Sequence, residues 1–184
     1  MNISYTVCST AIGSVYVAWT GRGIAFLRAD ARSEADFVAA VSTRRGGTPV
    51  RRDDSRLAEL TACLEAWLAG KPVEIVLDLT GVSAFDRAVL AATQAIPRGE
   101  VRTYGELARA IRRPTAARAV GGALCRNPIP LLIPCHRVVS PGGNLRHYSM
   151  GGVGWKERLL RLEGVDLEAL RSQRRTAGAR GQAP

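Results

Sequence analysis

The stretch "TYGELARAIRRPTAARAVGGALCR", Thr103 to Arg126, reads as two short helices joined by an arginine-proline turn. Thr103 and Glu106 have the spacing of a capping box, in which hydroxyl and carboxylate satisfy each other's backbone N–H groups, so a helix starts here. Pro114 has no N–H to donate and ends it. "TAARAVGGALCR" then completes the layout of a helix-turn-helix, an outline shared by many helical hairpins. The side chains of this second helix are small: Ala116, Ala117, Ala119, Gly121, Gly122 and Ala123. Two glycines inside a helix cost about 1 kcal/mol each relative to alanine. Either close packing on another helix or close approach to the floor of a groove would offset that cost. Arg118 is the one long cation in the middle of this helix.

From residue 98 to 137 the cations are Arg98, Arg102, Arg109, Arg112, Arg113, Arg118, Arg126 and Arg137, opposed only by Glu100 and Glu106. The whole chain of 184 residues has 26 Lys and Arg against 16 Asp and Glu, a net charge of +10. Composition alone is equally consistent with guanidinium spread over the surface and with a polyanionic partner. Clustering on a helix pair favours the partner, nucleic acid ahead of membrane.

Upstream, "SAFDRAVLAATQAI" places Phe85, Val89, Leu90 and Ile96 on one helical face, closed by Pro97-Arg98-Gly99. The first half has a different character. "ISYTVCST", "GSVYVAWT" and "GIAFLRA" read as strands separated by glycine turns, and "SEADFVAAVSTR" as a helix. "RRGGTPVRRDD" reads as a polar loop. "SRLAELTACLEAWLAG" is a helix capped by Ser55 and ended by Gly70, with Leu57, Leu60, Leu64 and Trp67 inward and Cys63 as core filler. "VEIVLDLTG" reads as a further strand. The class is α+β. Expected domains are an N-terminal α/β supporting domain over 1–78, a DNA-binding and active domain over 79–165, and a basic, disordered tail over 166–184.

No apolar run reaches the roughly 20 residues of a membrane helix, and the N-terminus lacks the basic region of a signal peptide. An intracellular protein with no membrane partner is expected. The cysteines at 8, 63, 125 and 135 form no C-x-x-C pair, so neither a disulfide framework nor a zinc site is expected.

Downstream of the helix pair, "NPIPLLIPCHRVVS" sets Cys135 beside His136. Three prolines make "NPIPLLIP" an extended apolar segment that cannot be a central strand. A thiol with its ordinary pKa of about 8.5 is mostly protonated at neutral pH, so a reactive cysteine needs a base or a positive field. His136 and Arg137 offer both. Adjacent side chains of a strand point to opposite faces, so contact between the two requires a bend at Cys135. Spacing alone leaves a catalytic and a buried cysteine about equally supported.

"IPCHRVV", together with "TYGELA", "AARAVGGA" and "RNPIP", resembles the O6-alkylguanine-DNA alkyltransferases, also called methylated-DNA–protein-cysteine methyltransferases. The resemblance covers about residues 3–165, and its specific part is C-terminal. It implies an RNase H-like N-terminal domain followed by a mostly helical domain with a winged helix-turn-helix-like unit and an active-site loop. It implies direct, stoichiometric and irreversible transfer of an alkyl group from O6-alkylguanine, chiefly O6-methylguanine, to the protein's own cysteine. On that resemblance Cys135 matches the alkyl acceptor, His136 a base acting through water, and Glu163 the carboxylate orienting it. Asn127 matches a link between recognition helix and active-site loop. Arg118 matches the side chain that fills the stack when the nucleotide is flipped, and Tyr104 the residue that turns the base out and meets it in the pocket. Tyr148 and Ser149 match the pocket wall and a donor to guanine O6. Val138 matches a carbonyl that reads the guanine amino group, and Thr103, Ala117 and Gly121 match DNA-contacting positions. The implied partner is the minor groove of double-stranded DNA, bound by a monomer; cooperative binding stays open. No cofactor is implied. The expected location is cytoplasmic and nucleoid-associated, or nuclear in a eukaryote.

"RHYSMGGVGWKE" departs from the family in being one residue longer between Tyr148 and Lys156, with Met150 as the apparent extra, and in having His147 at the rim. The first half has no histidine, so the structural zinc of some family members is not carried over. Two other classes compete: a binding protein that flags damage without reacting, which the cysteine of "PCHR" argues against, and a helix-turn-helix regulator, which leaves Cys135, Tyr148 and Glu163 unexplained. A cysteine hydrolase is weaker still, for want of an oxyanion site.

Overall fold

The computed structural model describes residues 2–145 and 148–170. The chain forms two compact units. One comprises Met1–Val82 with Pro128–Leu132, the other Ser83–Asn127 with the residues from Ile133 onward. The division therefore falls at 82/83 instead of 78/79, and the first unit takes a short segment from the middle of the second.

In the first unit, β1 (Ile3–Thr10), β2 (Gly13–Thr20), β3 (Gly23–Arg28) and β4 (Val50–Arg52) form a sheet in the order β3-β2-β1-β4. β1 pairs antiparallel with β2 and parallel with β4. Alternation along β1 sends Ile3 and Tyr5 to one face, where they meet Phe37 and Val41 of α1 (Glu34–Arg44). Thr6 and Cys8 face the other way, and α2 (Leu57–Leu68) packs on β1. Both faces are thus covered.

Several expectations change here. Part of the "RRGGTPVRRDD" loop is strand β4, because Val50 to Arg52 find a free edge beside Ile3 to Tyr5. "VEIVLDLTG" contributes a single bridge, Ile24 to Leu77, and no full strand. Helix α2 has Arg56 at its N-cap with no side-chain cap, so Ser55 does not cap it; Asp53 takes the Ser55 N–H instead. Leu60, Leu64 and Leu68 form its buried stripe, while Cys63 is only half-buried.

The second unit holds α3 (Ala84–Gln94), β5 (Arg102–Thr103), α4 (Tyr104–Ala110), α5 (Ala117–Cys125), β6 (Val138–Val139) and α6 (Gly152–Leu162). Helix α3 is capped by Ser83, whose hydroxyl accepts from the Asp86 N–H. The capping box at Thr103 and Glu106 is present in both directions. Helix α4 ends at Ala110, before Pro114, and Arg112 takes a left-handed φ of 57° in the turn. Helix α5 packs on α3 and α4. Its C-terminal end is fixed by a two-pronged ion pair, Arg126 Nε and Nη2 to the Asp86 carboxylate at 2.8 Å each.

Residues 128–132 turn where an extended run was expected. Leu131 adopts φ 74°, and the Leu27 N–H donates to the Pro128 carbonyl at 2.9 Å within the first unit. At the near end of the tail, Leu167 is buried against Val139, Leu145 and Leu160, so order extends past residue 165. The expected disorder of the remaining tail, 171–184, and the rim position of His147 lie outside the described residues. Met150 is fully buried, its side chain folded inward from the loop. Among the described residues no helix is long and apolar enough to cross a membrane.

Candidate active site

The site lies wholly in the second unit. After Pro134 the chain makes a 3-10 turn at Cys135–Arg137 and passes directly into β6. That turn bends the chain at the Cys135–His136 pair and turns the imidazole toward Glu163. Strand β6 runs parallel to β5, pairing Val138 with Arg102 and Val139 with Thr103. Thr103 is also the N-cap of α4. A two-residue ladder therefore ties the Cys135 turn to the start of the helix that carries Tyr104.

Cys135 is buried, with 5% of its surface exposed, at the wall of a cavity of about 680 Å³. Thr103, Tyr104, Ala117, Arg118, Gly121, Tyr148 and Ser149 line the same cavity, so eight of the expected residues meet there. Gly121 leaves the face of α5 bare where the Tyr104 ring rests; a Cβ there would lie 3.8 Å from the ring. Burial pushes the Tyr104 phenol above its usual range, with the Cys125 and Cys135 thiols adding to the effect, so the hydroxyl keeps its proton.

The other expected residues stand behind the wall. Asn127 Nδ2 donates to the Ile133 carbonyl at 3.0 Å and to Cys135 Sγ at 3.2 Å. A donor aimed at sulfur favours the thiolate, as hydrogen bonds to a charged form do. His136 is fully buried, with Nε2 2.9 Å from Glu163 Oε1. Glu163 caps the C-terminal end of α6 and is held at a pKa of about 2; burial opposes this shift, and bonds from His136 and Arg137 outweigh it. Burial lowers the His136 proton affinity, which the Glu163 bond partly restores. The imidazole is therefore neutral at physiological pH. Val138 is buried, and its carbonyl accepts from Lys156 Nζ.

The sequence reading missed Lys156, Arg137 as a structural member of the site, and Arg109, Cys125, Ser140 and Pro141 along the cavity. Lys156 stands between Trp155 and Glu157 on α6, buried to 1% exposure, its pKa pulled down to about 8 by burial. Its charged neighbours Glu157 and Arg158 gave no signal of that. Arg137 was legible only as part of the "CHR" triplet.

The eight arginines between residues 98 and 137 divide into two groups. Arg102 pairs with Glu100, Arg126 with Asp86 and Arg137 with Glu163, while Arg98 bonds the Leu162 carbonyl. Glu106 is occupied by the cap of α4. Arg109, Arg112, Arg113 and Arg118 remain exposed on α4, α5 and the turn between them, with no ion pair among the described residues.

A helical unit with a buried thiol, a histidine–carboxylate pair behind it and exposed arginines before it falls in a known class: residues 84–165 match the family described as 6-O-methylguanine DNA methyltransferase, DNA binding domain. The chain is 40% identical over 139 residues to the methylated-DNA–protein-cysteine methyltransferase of Methanothermobacter thermautotrophicus, covering 72% of this chain and 77% of that one. It is 36% identical over 170 residues to that of Sulfolobus acidocaldarius, covering 91% and 97%. The crystal structure of Mycobacterium tuberculosis OGT in complex with DNA superposes with a TM-score of 0.71 at 32% identity, covering 94% of each chain. The chain belongs to the methylated-DNA–protein-cysteine methyltransferase family.

Proposed function

We propose that this protein repairs DNA by direct reversal, taking the alkyl group of O6-alkylguanine onto Cys135 in a single turnover. The observation that carries the reading is Cys135 itself, which receives the Asn127 amide at 3.2 Å and opens onto the cavity shared with Tyr104 and Arg118. The thiol proton passes through water to His136, whose imidazolium is stabilised by Glu163. Sulfur bonds to the alkyl carbon as the carbon–O6 bond breaks, and the electron pair leaves with guanine. The protonated Tyr104 phenol supplies the proton that neutralises the departing base. The thioether has no hydrolytic exit, so each molecule reacts once.

The alkyl carbon is out of reach inside a duplex, and turning its nucleotide out costs a few kcal/mol. The thin face of α5 and the exposed Arg118 support minor-groove entry, with Arg118 filling the vacated space. The four arginines with no ion pair among the described residues support phosphate contact along α4, α5 and their turn. The capped α4–turn–α5 pair and the β5–β6 ladder beside it support a winged helix-turn-helix reading. The mixed sheet of the first unit supports an RNase H-like one. Ser149, Tyr148 and the Val138 carbonyl are read as base-contacting groups, and Thr103, Ala117 and Gly121 as DNA-contacting ones.

Incubation with duplex DNA containing O6-methylguanine, followed by peptide mass spectrometry, should add one methyl group to the Cys135 peptide. Modification elsewhere, or none in folded protein, overturns the reading. Arg118→Ala should slow reaction with duplex DNA roughly tenfold more than reaction with free O6-alkylguanine base, given the few kcal/mol at stake in extrusion. Equal losses on both substrates would remove its flipping role.

A further inference from the structure

Arg137 is 7% exposed, and every arm of its guanidinium is committed. Nε donates to Glu163 Oε2 at 2.8 Å, Nη2 to Glu163 Oε1 at 2.9 Å, and Nη1 to the Ile96 carbonyl at the end of α3. Glu163 Oε1 is the same oxygen that meets His136 Nε2. Both carboxylate oxygens are therefore occupied by one planar fork, and the histidine shares an oxygen already held in place. A lone buried ion pair is poor evidence of stabilisation, because desolvating two charges offsets much of their attraction. The value of this pair lies in what it imposes on the third member.

We propose that Arg137 is a positioning residue of the relay: by fixing Glu163 as an ionised, oriented acceptor, it makes His136 enter the reaction as a neutral base that donates Nε2–H to the carboxylate and offers Nδ1 to the thiol proton. The inference rests on the alkyl-transfer reading above. The charges acting on His136 are few. Glu163 and Lys156 approach from α6 and Arg137 from its own turn, and Arg137 and Lys156 both disfavour the imidazolium. The Tyr148 ring stands edge-on to the imidazole at 6.3 Å. Asp86, the carboxylate buried on α3, is taken by Arg126. Removing the guanidinium would leave a buried carboxylate whose remaining hydrogen-bonding neighbour in this cluster is the imidazole. Such a pair lowers its desolvation penalty by taking up a proton, giving an imidazolium–carboxylate pair. Nδ1 would then already carry a proton and could not accept one from Cys135.

The test uses the full chain, O6-methylguanine duplex DNA and single-turnover rate constants across pH. The methyl-incorporation endpoint counts competent molecules, so a partly unfolded variant still yields a rate constant. Arg137→Gln should move the acidic limb of the rate profile upward by roughly one to two pH units, the effect of losing one close opposing charge. Arg137→Lys keeps a charge without the fork and should shift the limb by less. The double variant Arg137→Gln with Glu163→Gln removes the carboxylate as well and should return the limb to or below that of the parent, with a slower plateau. Nitrogen NMR of His136 gives a second readout that needs no DNA. It should show the Nε2-protonated neutral ring in the parent and a raised titration midpoint in Arg137→Gln. A limb and midpoint unmoved in Arg137→Gln, or in Arg137→Lys should the glutamine variant fail to fold, would overturn the proposal and leave Arg137 a packing residue. Failure of the parent to methylate Cys135 would instead defeat the functional reading, while the NMR titration would still decide the role of Arg137.

Discussion

Two buried thiols, Cys8 in the sheet of the first unit and Cys135 in the second, are both nearly free of solvent, at 0% and 5% exposure. Cys8 lies on the α2-facing side of β1, where burial pushes its thiol up and the Thr61 hydroxyl only partly offsets the rise. Such a thiol stays protonated and packs as a small apolar group. Cys135 has the Asn127 amide at its sulfur, a histidine–carboxylate–guanidinium cluster behind it and Lys156 within electrostatic range. Burial is common to both. What separates them is the set of oriented donors at Cys135 and the open cavity beside it.

The largest test of that contrast is deletion of each sulfur. Cys135→Ala should abolish methyl uptake from O6-methylguanine DNA, from one group per molecule to none, while Cys8→Ala should retain full uptake; mass spectrometry of the intact chain reads both. Next, Glu163→Gln should slow methyl transfer roughly 10²-fold, the lower range of general-base contributions. Iodoacetamide labelling of Cys135 should slow with it, whereas labelling of Cys8 in folded protein should stay negligible.

Acidification should act on the Cys135 region in one direction. His136 is held below its ordinary value of 6.5, so the unfolded chain binds more protons as pH falls through 6.5, and stability declines from there. Glu163, at about 2 against an ordinary 4.5, contributes stability above 4.5 that is lost as pH falls toward 2. Urea midpoints should therefore drop between pH 7 and pH 5 and again below pH 4.5, and Glu163→Gln should reduce the second drop. Asp78 and Glu106, also held low by hydrogen bonds that outweigh burial, contribute to it as well. The effect of Cys8→Ala is confined to stability and should be about 1–2 kcal/mol of unfolding free energy through the space it leaves. A larger cost than Cys135→Ala imposes on stability is expected, since Cys135 borders a cavity.

The elements of the second unit were legible because their signals are local. A capping residue and a run of small side chains each act within one turn, and Thr103 and Gly121 stand where the pattern required, while α4 stops at Ala110, short of the Pro114 expected to end it. Pairing across distance was not legible. Val50–Arg52 looks like loop until it meets the edge of β1, and "VEIVLDLTG" looks like strand until only Ile24 is found to bridge it. Within the site, the family resemblance supplied His136 and Glu163 as partners 27 residues apart. Nothing in the spacing distinguished Arg137 and Lys156 from the many surface cations. Their roles depend on being buried, a property set by how α6 packs against the Cys135 turn.

Pro128–Leu132 belongs to the first unit although the sequence on either side of it belongs to the second, and Asn127 closes the neck of this excursion by bonding the Ile133 carbonyl at 3.0 Å. The gene therefore cannot be cut once to give two self-sufficient halves. A fragment starting at Ser83 would carry five residues whose hydrogen-bond partner, the Leu27 N–H, had been left behind. The loop leading to Cys135 would then lose its Leu27 contact and keep only the Asn127 bond at its neck. Any shuffling of this module among proteins must move the two spans together.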